Sequence, residues 1–208
     1  MDGSALICKS PSKGDVIMAK IKVGDKLENF VFDTPYKRGM DLASIVDGKR
    51  TGLLFSRYYG CSLCRYEMIL LKEGYDKIKA TGGQVVFVLQ SDPDLLARNV
   101  TEKEYPFWIV ADPEQKIYKA LEIEGAEDLK NAIDEKALKK IQGAKKLGLA
   151  HGEYEGNEQQ LPAAFVIEPD LTVSYVHYAK TLGDTPEVEE FAELLKTEGC
   201  CCGCKCHK

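Results

Sequence analysis

No stretch of this chain approaches the ~20 apolar residues that a membrane-spanning helix needs, so no membrane span is expected. A basic surplus is missing as well: 28 Lys and Arg against 33 Asp and Glu leave a formal charge of -5. The basic residues are scattered among acids in short pairs such as Lys139-Lys140 and Lys145-Lys146. That pattern offers no electrostatic footprint for nucleic acid or anionic lipid. Histidine is scarce, with three in the chain, and never paired in the body. Met1 to Ile17 lacks the apolar core of a signal peptide. The expected compartment is therefore a reducing cytoplasm, and Met18 is a candidate internal start.

Cysteine is absent from most of the prospective core. Of eight cysteines, Cys8 stands alone, Cys61 and Cys64 form a pair, and five crowd into Cys200 to Cys206. A disulfide framework spreads its cysteines through the chain, whereas cytosolic clusters point to redox or metal chemistry. A chain of 208 residues with 44% hydrophobic content can build a core without such staples.

What is present is an alternation of short apolar runs and amphipathic stretches. Asn29 to Phe32, Gly52 to Phe55, Val85 to Leu89, Phe107 to Val110, Ala164 to Ile167 and Thr172 to Tyr178 read as strands. Helices are expected over Asp41 to Val46 and from Ser62 to Ala80. In the latter, Met68, Leu71, Tyr75 and Ile78 recur at helical spacing. Further helices follow Ser91-Asp92, Asp112-Pro113 and Thr185-Pro186. The order implies an α/β sandwich with a central mixed sheet. Residues 1–20 read as an N-terminal extension, 21–198 as the domain and 199–208 as a tail. Within the domain, about 122–160 reads as an insertion carrying one helix with Leu129, Ile133 and Ala137 or Leu138 inward.

The pair Cys61-Ser62-Leu63-Cys64 follows a buried strand and opens a long helix. A free thiol, with a pKa of about 8.5, is mostly protonated near neutrality, and the thiolate is the nucleophile. Unpaired N–H groups and the positive helix end favour the anion at Cys61. Arg57 and Arg65 lie close in sequence. Cys64 sits one turn on, within reach of a disulfide. The rival reading is a zinc knuckle, for which the body supplies no second C-x-x-C.

Val23-Gly24-Asp25-Lys26 with Asn29-Phe30, the dithiol after its strand, Phe107 to Tyr118 and Leu161 to Ile167 together resemble the alkyl hydroperoxide reductase/thiol-specific antioxidant (AhpC/TSA) branch of the thioredoxin superfamily. The likeness covers about residues 22 to 196 and suggests a peroxiredoxin-like protein with a C-x-x-C motif. It implies a thioredoxin-like fold, with the helical insertion placed before the strand that follows a cis-proline. It implies catalysis by Cys61 and Cys64, and substrate contacts from Arg57, Tyr59, Gly60 and Pro162. Pro162 holds the cis-proline place, and Tyr58 and Tyr59 flank the groove. The family's threonine and proline positions are here Cys61 and Arg57, and no arginine precedes the later strand. With the groups that polarise a peroxide replaced, the leading expectation is an antioxidant reduction of disulfides or oxidised thiols, with hydroperoxides as a further candidate substrate. For exchange, Cys61 attacks and Cys64 resolves; for peroxide the roles invert. The expected partners are a disulfide or peroxide substrate and a thiol reductant, with a homodimer as a further expectation and no cofactor required.

The tail gathers Cys200, Cys201, Cys202, Cys204, Cys206 and His207. Soft thiolates at that density suit Cu(I) or Zn(II). A relay dithiol and an inert tail stand equally beside a metal site, and a metallochaperone is the alternative function. His151 and His177 are candidates for a base near the dithiol, with surface positions the simpler expectation.

Overall fold

A computed structural model describes residues 20–101 and 103–196. Cys8, the N-terminal extension up to residue 19 and the cysteine-rich tail lie outside the described residues. A small antiparallel ribbon of β1 (Val31–Phe32) and β2 (Met40–Asp41) leads into α1 (Leu42–Val46). The Asp41 carboxylate caps α1 by accepting the Ser44 N–H, as its position in the sequence predicts.

The sheet comprises β3 (Thr51–Phe55), β4 (Gln84–Leu89), β5 (Trp108–Ala111), β6 (Ala163–Ile167) and β7 (Val173–Tyr178), in the order β5-β4-β3-β6-β7. The first three strands run parallel, while β6 and β7 pair antiparallel. Successive residues of a strand face opposite sides, so β3 sends Leu53 and Phe55 to one core and Leu54 to the other. Both sides are covered, which is why the central strands read as unbroken apolar runs. On one face lie α2 (Ser62–Lys79) and α6 (Val188–Leu195), supplying Met68, Leu71, Tyr75, Ile78, Phe191 and Leu195. On the other lie α1 and α4 (Lys116–Ala120), supplying Ile45, Val46, Ile117 and Tyr118. Helix α3 (Pro93–Asn99), capped by Asp92, links β4 to β5.

Two expectations are corrected here. The insertion helix, α5 (Glu135–Lys146), starts at the Asp134 cap, so Leu129 and Ile133 precede it and Leu138 points outward. Its inward face is Ala137, Lys140 and Ala144. The Leu161–Pro162 bond is trans, because no cis peptide occurs among the described residues. Residues just before it run extended against Glu124 to Ala126, with Ala126 N–H donating to Gln159 and Leu161 N–H to Glu124. The chain therefore enters β6 from an extended, paired segment.

Register places the site. Phe55 pairs with Ala163 across β3 and β6, so the loop after β3 and the Pro162 segment leave the sheet at one end. Carboxyl ends of parallel strands are where such sheets expose their sites.

Candidate functional site

The loop from Ser56 to Cys61 is tied to the sheet by main-chain bonds. Ser56 N–H donates to Val88 O at 3.0 Å, Gln90 N–H to Arg57 O at 2.8 Å, and Tyr59 N–H to Ser91 Oγ at 2.8 Å. It ends on Cys61 as the N-cap of α2, with an extended backbone and a sulfur that accepts the Cys64 N–H at 3.3 Å. An N-cap normally uses oxygen for that bond; here a thiol sulfur does it. Both cysteines are free thiols, each 1% exposed.

Arg57 comes from the same loop and is buried. Its Nη2 donates to Cys61 Sγ at 2.9 Å and its Nη1 to Glu158 O at 3.0 Å. Burial works against that cation, but the charges of Cys64 and Cys61 outweigh it and raise the guanidinium pKa. Burial likewise pushes the Cys64 thiol up. The thiol of Cys61, which donates to it, and the Arg57 charge more than reverse this, holding Cys64 at about 6. Cys61 moves the other way, well above its ordinary value, because its proton is bound to the Cys64 sulfur and its site is dry. Two donors nonetheless converge on Cys61, so the pair is best described as sharing one negative charge beside Arg57. Cys64 ionises first and Cys61 retains the proton.

The insertion closes over this pair. Gly152 N–H donates to Gly60 O at 2.7 Å, and Gly60 N–H donates to Glu155 Oε1 at 3.2 Å. A Cβ at Gly60 would overlap the Glu153 carbonyl oxygen, so only glycine admits the approach. The Tyr58 hydroxyl donates to Glu158 and meets His151 Nε2 at 3.2 Å, while Arg65 donates to Ala150 O. Burial and the Glu158 carboxylate push the Tyr58 phenol up, so it acts as a donor throughout the physiological range. The insertion's Ala132 and Ala137 join Tyr58, Cys61, Leu63, Cys64 and Leu182 in a small apolar cluster.

Beneath the pair lies a polar group that the sequence does not single out. Glu67, one turn after Cys64, is buried with Lys140 of α5; Nζ meets Oε1 at 2.9 Å. Thr185 Oγ1 accepts from Lys140 at 2.7 Å and donates to Glu67 at 3.0 Å. The Ser56 hydroxyl donates to the other Glu67 oxygen at 3.4 Å, and turned toward Cys64 instead its single proton would lower the pKa of that thiol. The available signal is that Glu67 interrupts the apolar stripe of α2, three residues after Cys64 and four before Leu71.

Of the residues expected at the site, Arg57, Gly60, Cys61 and Cys64 are gathered in one place. Tyr59 leans away: its hydroxyl donates to Asn99 O at 3.3 Å and Arg65 lies over its ring. Pro162 lines a neighbouring cleft of about 540 Å³ with Glu124, Asp128, Ala132 and Leu161, the last two also packing in the dithiol cluster. His151 reaches Tyr58, not the sulfurs, and His177 pairs with Asp184 at 3.0 Å. Cys200, Cys201, Cys202, Cys204, Cys206 and His207 lie outside the described residues. Among the described residues no group of three or more His, Cys, Asp or Glu is arranged to hold a metal, and no helix is long and apolar enough to cross a membrane.

Residues 23–176 match the model of the AhpC/TSA family. Thioredoxin-like protein AAED1, chloroplastic, of Arabidopsis thaliana is 28% identical over 162 residues, which cover 74% of this chain. The chain spans 62% of the length of that relative. Among solved structures, a thiol peroxidase from Chromobacterium violaceum superposes with a TM-score of 0.55 at 15% identity, covering 86% of this chain and 89% of that one. Peroxidoxin BcpB from Mycobacterium tuberculosis gives 0.58 at 12% identity, with 84% and 94% covered. A reduced 2-Cys peroxiredoxin from Plasmodium vivax gives 0.57 at 12%, with 83% and 79% covered. These likenesses establish a peroxiredoxin-type thioredoxin-like fold.

Proposed function

The chain belongs to the AhpC/TSA family, and from that premise we propose that it is a peroxiredoxin-like thiol oxidoreductase in which Cys64 reduces a small hydroperoxide and Cys61 resolves it. The observation that carries this reading is the burial of two free thiols one turn apart with the Arg57 guanidinium 2.9 Å from one of them, an arrangement that favours a thiolate on the pair. A thiolate at neutral pH is the species that attacks. Its depth favours a small oxidant over a protein disulfide, because the insertion lies across both sulfurs.

In the first step the Cys64 thiolate attacks one peroxide oxygen. An S–O bond forms, the O–O bond breaks, and the leaving alkoxide takes the Cys61 proton to become an alcohol. Arg57, whose guanidinium bonds Cys61 Sγ next to Cys64, is the cation at hand to stabilise that departure. Cys64 is now a sulfenic acid. Cys61, now a thiolate, attacks that sulfur; an S–S bond forms, the S–O bond breaks, and the departing hydroxide takes a proton from solvent to become water. An external dithiol then reduces the Cys61–Cys64 disulfide and is itself oxidised. A reducing compartment such as the cytoplasm keeps the pair in its thiol form.

Disulfide exchange is the second reading. It is supported by Cys61, whose place at the helix N-terminus matches the attacking sulfur of a C-x-x-C motif, and it needs the insertion to move aside. Titrating the reduced protein with hydroperoxide and mapping thiols by mass spectrometry separates the two. Wild type should form a Cys61–Cys64 disulfide, and Cys61→Ser should accumulate a trappable sulfenic acid on Cys64. A sulfenic acid on Cys61, or no oxidation without a disulfide substrate, would sink the peroxide reading.

A further inference from the structure

We propose that Lys140, delivered by the insertion helix, is a positioning residue that neutralises Glu67 and so permits a thiolate at Cys64. The inference rests on Cys64 being the sulfur that ionises first, and it extends that reading to a residue far away in sequence.

Three elements meet at this pair: α2 brings Glu67, α5 brings Lys140, and the segment before α6 brings Thr185. Every polar bond in the triangle is between 2.7 and 3.0 Å, and both charged side chains are 6% exposed. Burying such a pair is costly, and apolar residues of similar volume often serve stability as well or better. A role in charge control gives this ion pair a use that stability alone does not.

The geometry supplies the connection. Glu67 lies one turn from Cys64, and the Ser56 hydroxyl stands between its carboxylate and the sulfur. An uncompensated carboxylate there opposes a second negative charge on sulfur. Other charged and titratable groups facing Cys64 are Arg57 and Cys61 from the loop and Tyr118 from α4. Those facing Lys140 besides Glu67 are Glu187 and Asp134. Glu67 is the carboxylate that pushes on Cys64 from beneath, and among the described residues Lys140 is the cation bonded directly to it. Docking of α5 is thereby coupled to the charge on the sulfur: a displaced insertion leaves Glu67 bare and draws a proton back to Cys64.

The test is the ionisation curve of the reduced pair, followed by ultraviolet thiolate absorbance and by the pH profile of alkylation. Neither readout depends on turnover, so a protein inactive toward peroxide still reports. Glu67→Gln removes the opposing charge and should lower the apparent pKa by about one unit, and Lys140→Met should raise it by about as much. Glu67→Gln/Lys140→Met should return it near the wild-type value. A structural role alone predicts lower thermal stability without opposite signs. Shifts in the same direction, or no shift in either single variant, would overturn the proposal. Should Lys140→Met fail to fold, the sign of Glu67→Gln and its reversal in the double variant decide the matter.

Discussion

The loop from Ser56 to Cys61 and the insertion around residues 122–160 enclose the same two sulfurs by different means. The loop is fastened by backbone hydrogen bonds to β4 and its continuation, so its geometry follows from the sheet. The insertion reaches the dithiol through side chains and a few backbone contacts: Glu155 and Glu158, Gly152 against Gly60, and Lys140 beneath. Backbone ladders in a sheet core open only on global unfolding, whereas a loop held this way opens locally. The loop therefore carries the larger share of the control over acidity, through Arg57, while the insertion sets which molecules reach the pair and adjusts its acidity through Lys140.

The largest test of this division is Arg57→Met. Arg57 lowers the Cys64 pKa, so its removal must raise it. With the ionisation moved from about 6 toward that of an ordinary thiol, alkylation near neutrality should slow at least about tenfold. Unchanged alkylation would mean that Cys61 and the helix end alone hold the charge.

Gly60→Ala attacks the other half. The new methyl group overlaps Glu153 O, so the insertion must lift while the sulfurs keep Arg57. Labelling by a bulky thiol reagent should accelerate several-fold, with a stability loss of about 1–3 kcal/mol as for other overpacked sites. The ionisation midpoint should move far less than in Arg57→Met. Labelling at the wild-type rate would show that the insertion does not gate access.

The same division explains what the amino-acid pattern made readable. A run such as Leu53-Leu54-Phe55 followed by Cys61 and a helical stripe dictates strand, turn and helix locally, and Asp41 and Asp92 mark their helix starts by their own chemistry. The insertion is different. Of the adjacent Lys139 and Lys140, one pairs with Glu135 in solvent and the other is buried on Glu67. Local sequence treats them alike, because the distinction is made by the phase of α5 against α2. That phase also turns Leu138 outward and Ala137 and Ala144 inward, against the apolar pattern. Likewise the approach to Pro162 is held extended by Glu124 to Ala126, a segment distant in sequence that no local pattern announces.

The smallest effect sharpens the comparison at the start of α5. Asp134 accepts the Ala137 N–H at 2.7 Å and the Thr181 hydroxyl at 2.7 Å. Burial works to raise its pKa, but those two bonds prevail and lower it. Asp134→Ala should cost about 1 kcal/mol near neutrality, as lost N-caps do. Because the folded carboxyl is the stronger acid, its contribution is complete above the ordinary carboxylate range and fades as pH falls below it. Urea unfolding near neutrality and at about pH 3 should show the gap between wild type and variant shrinking in acid. A loosened α5 start also holds Lys140 less firmly, so the dithiol ionisation should rise slightly, and by less than in Lys140→Met. A cap mutation that lowered stability equally at both pH values would place the effect in packing, and one that moved the dithiol as far as Lys140→Met would show that α5 docks as a single rigid unit.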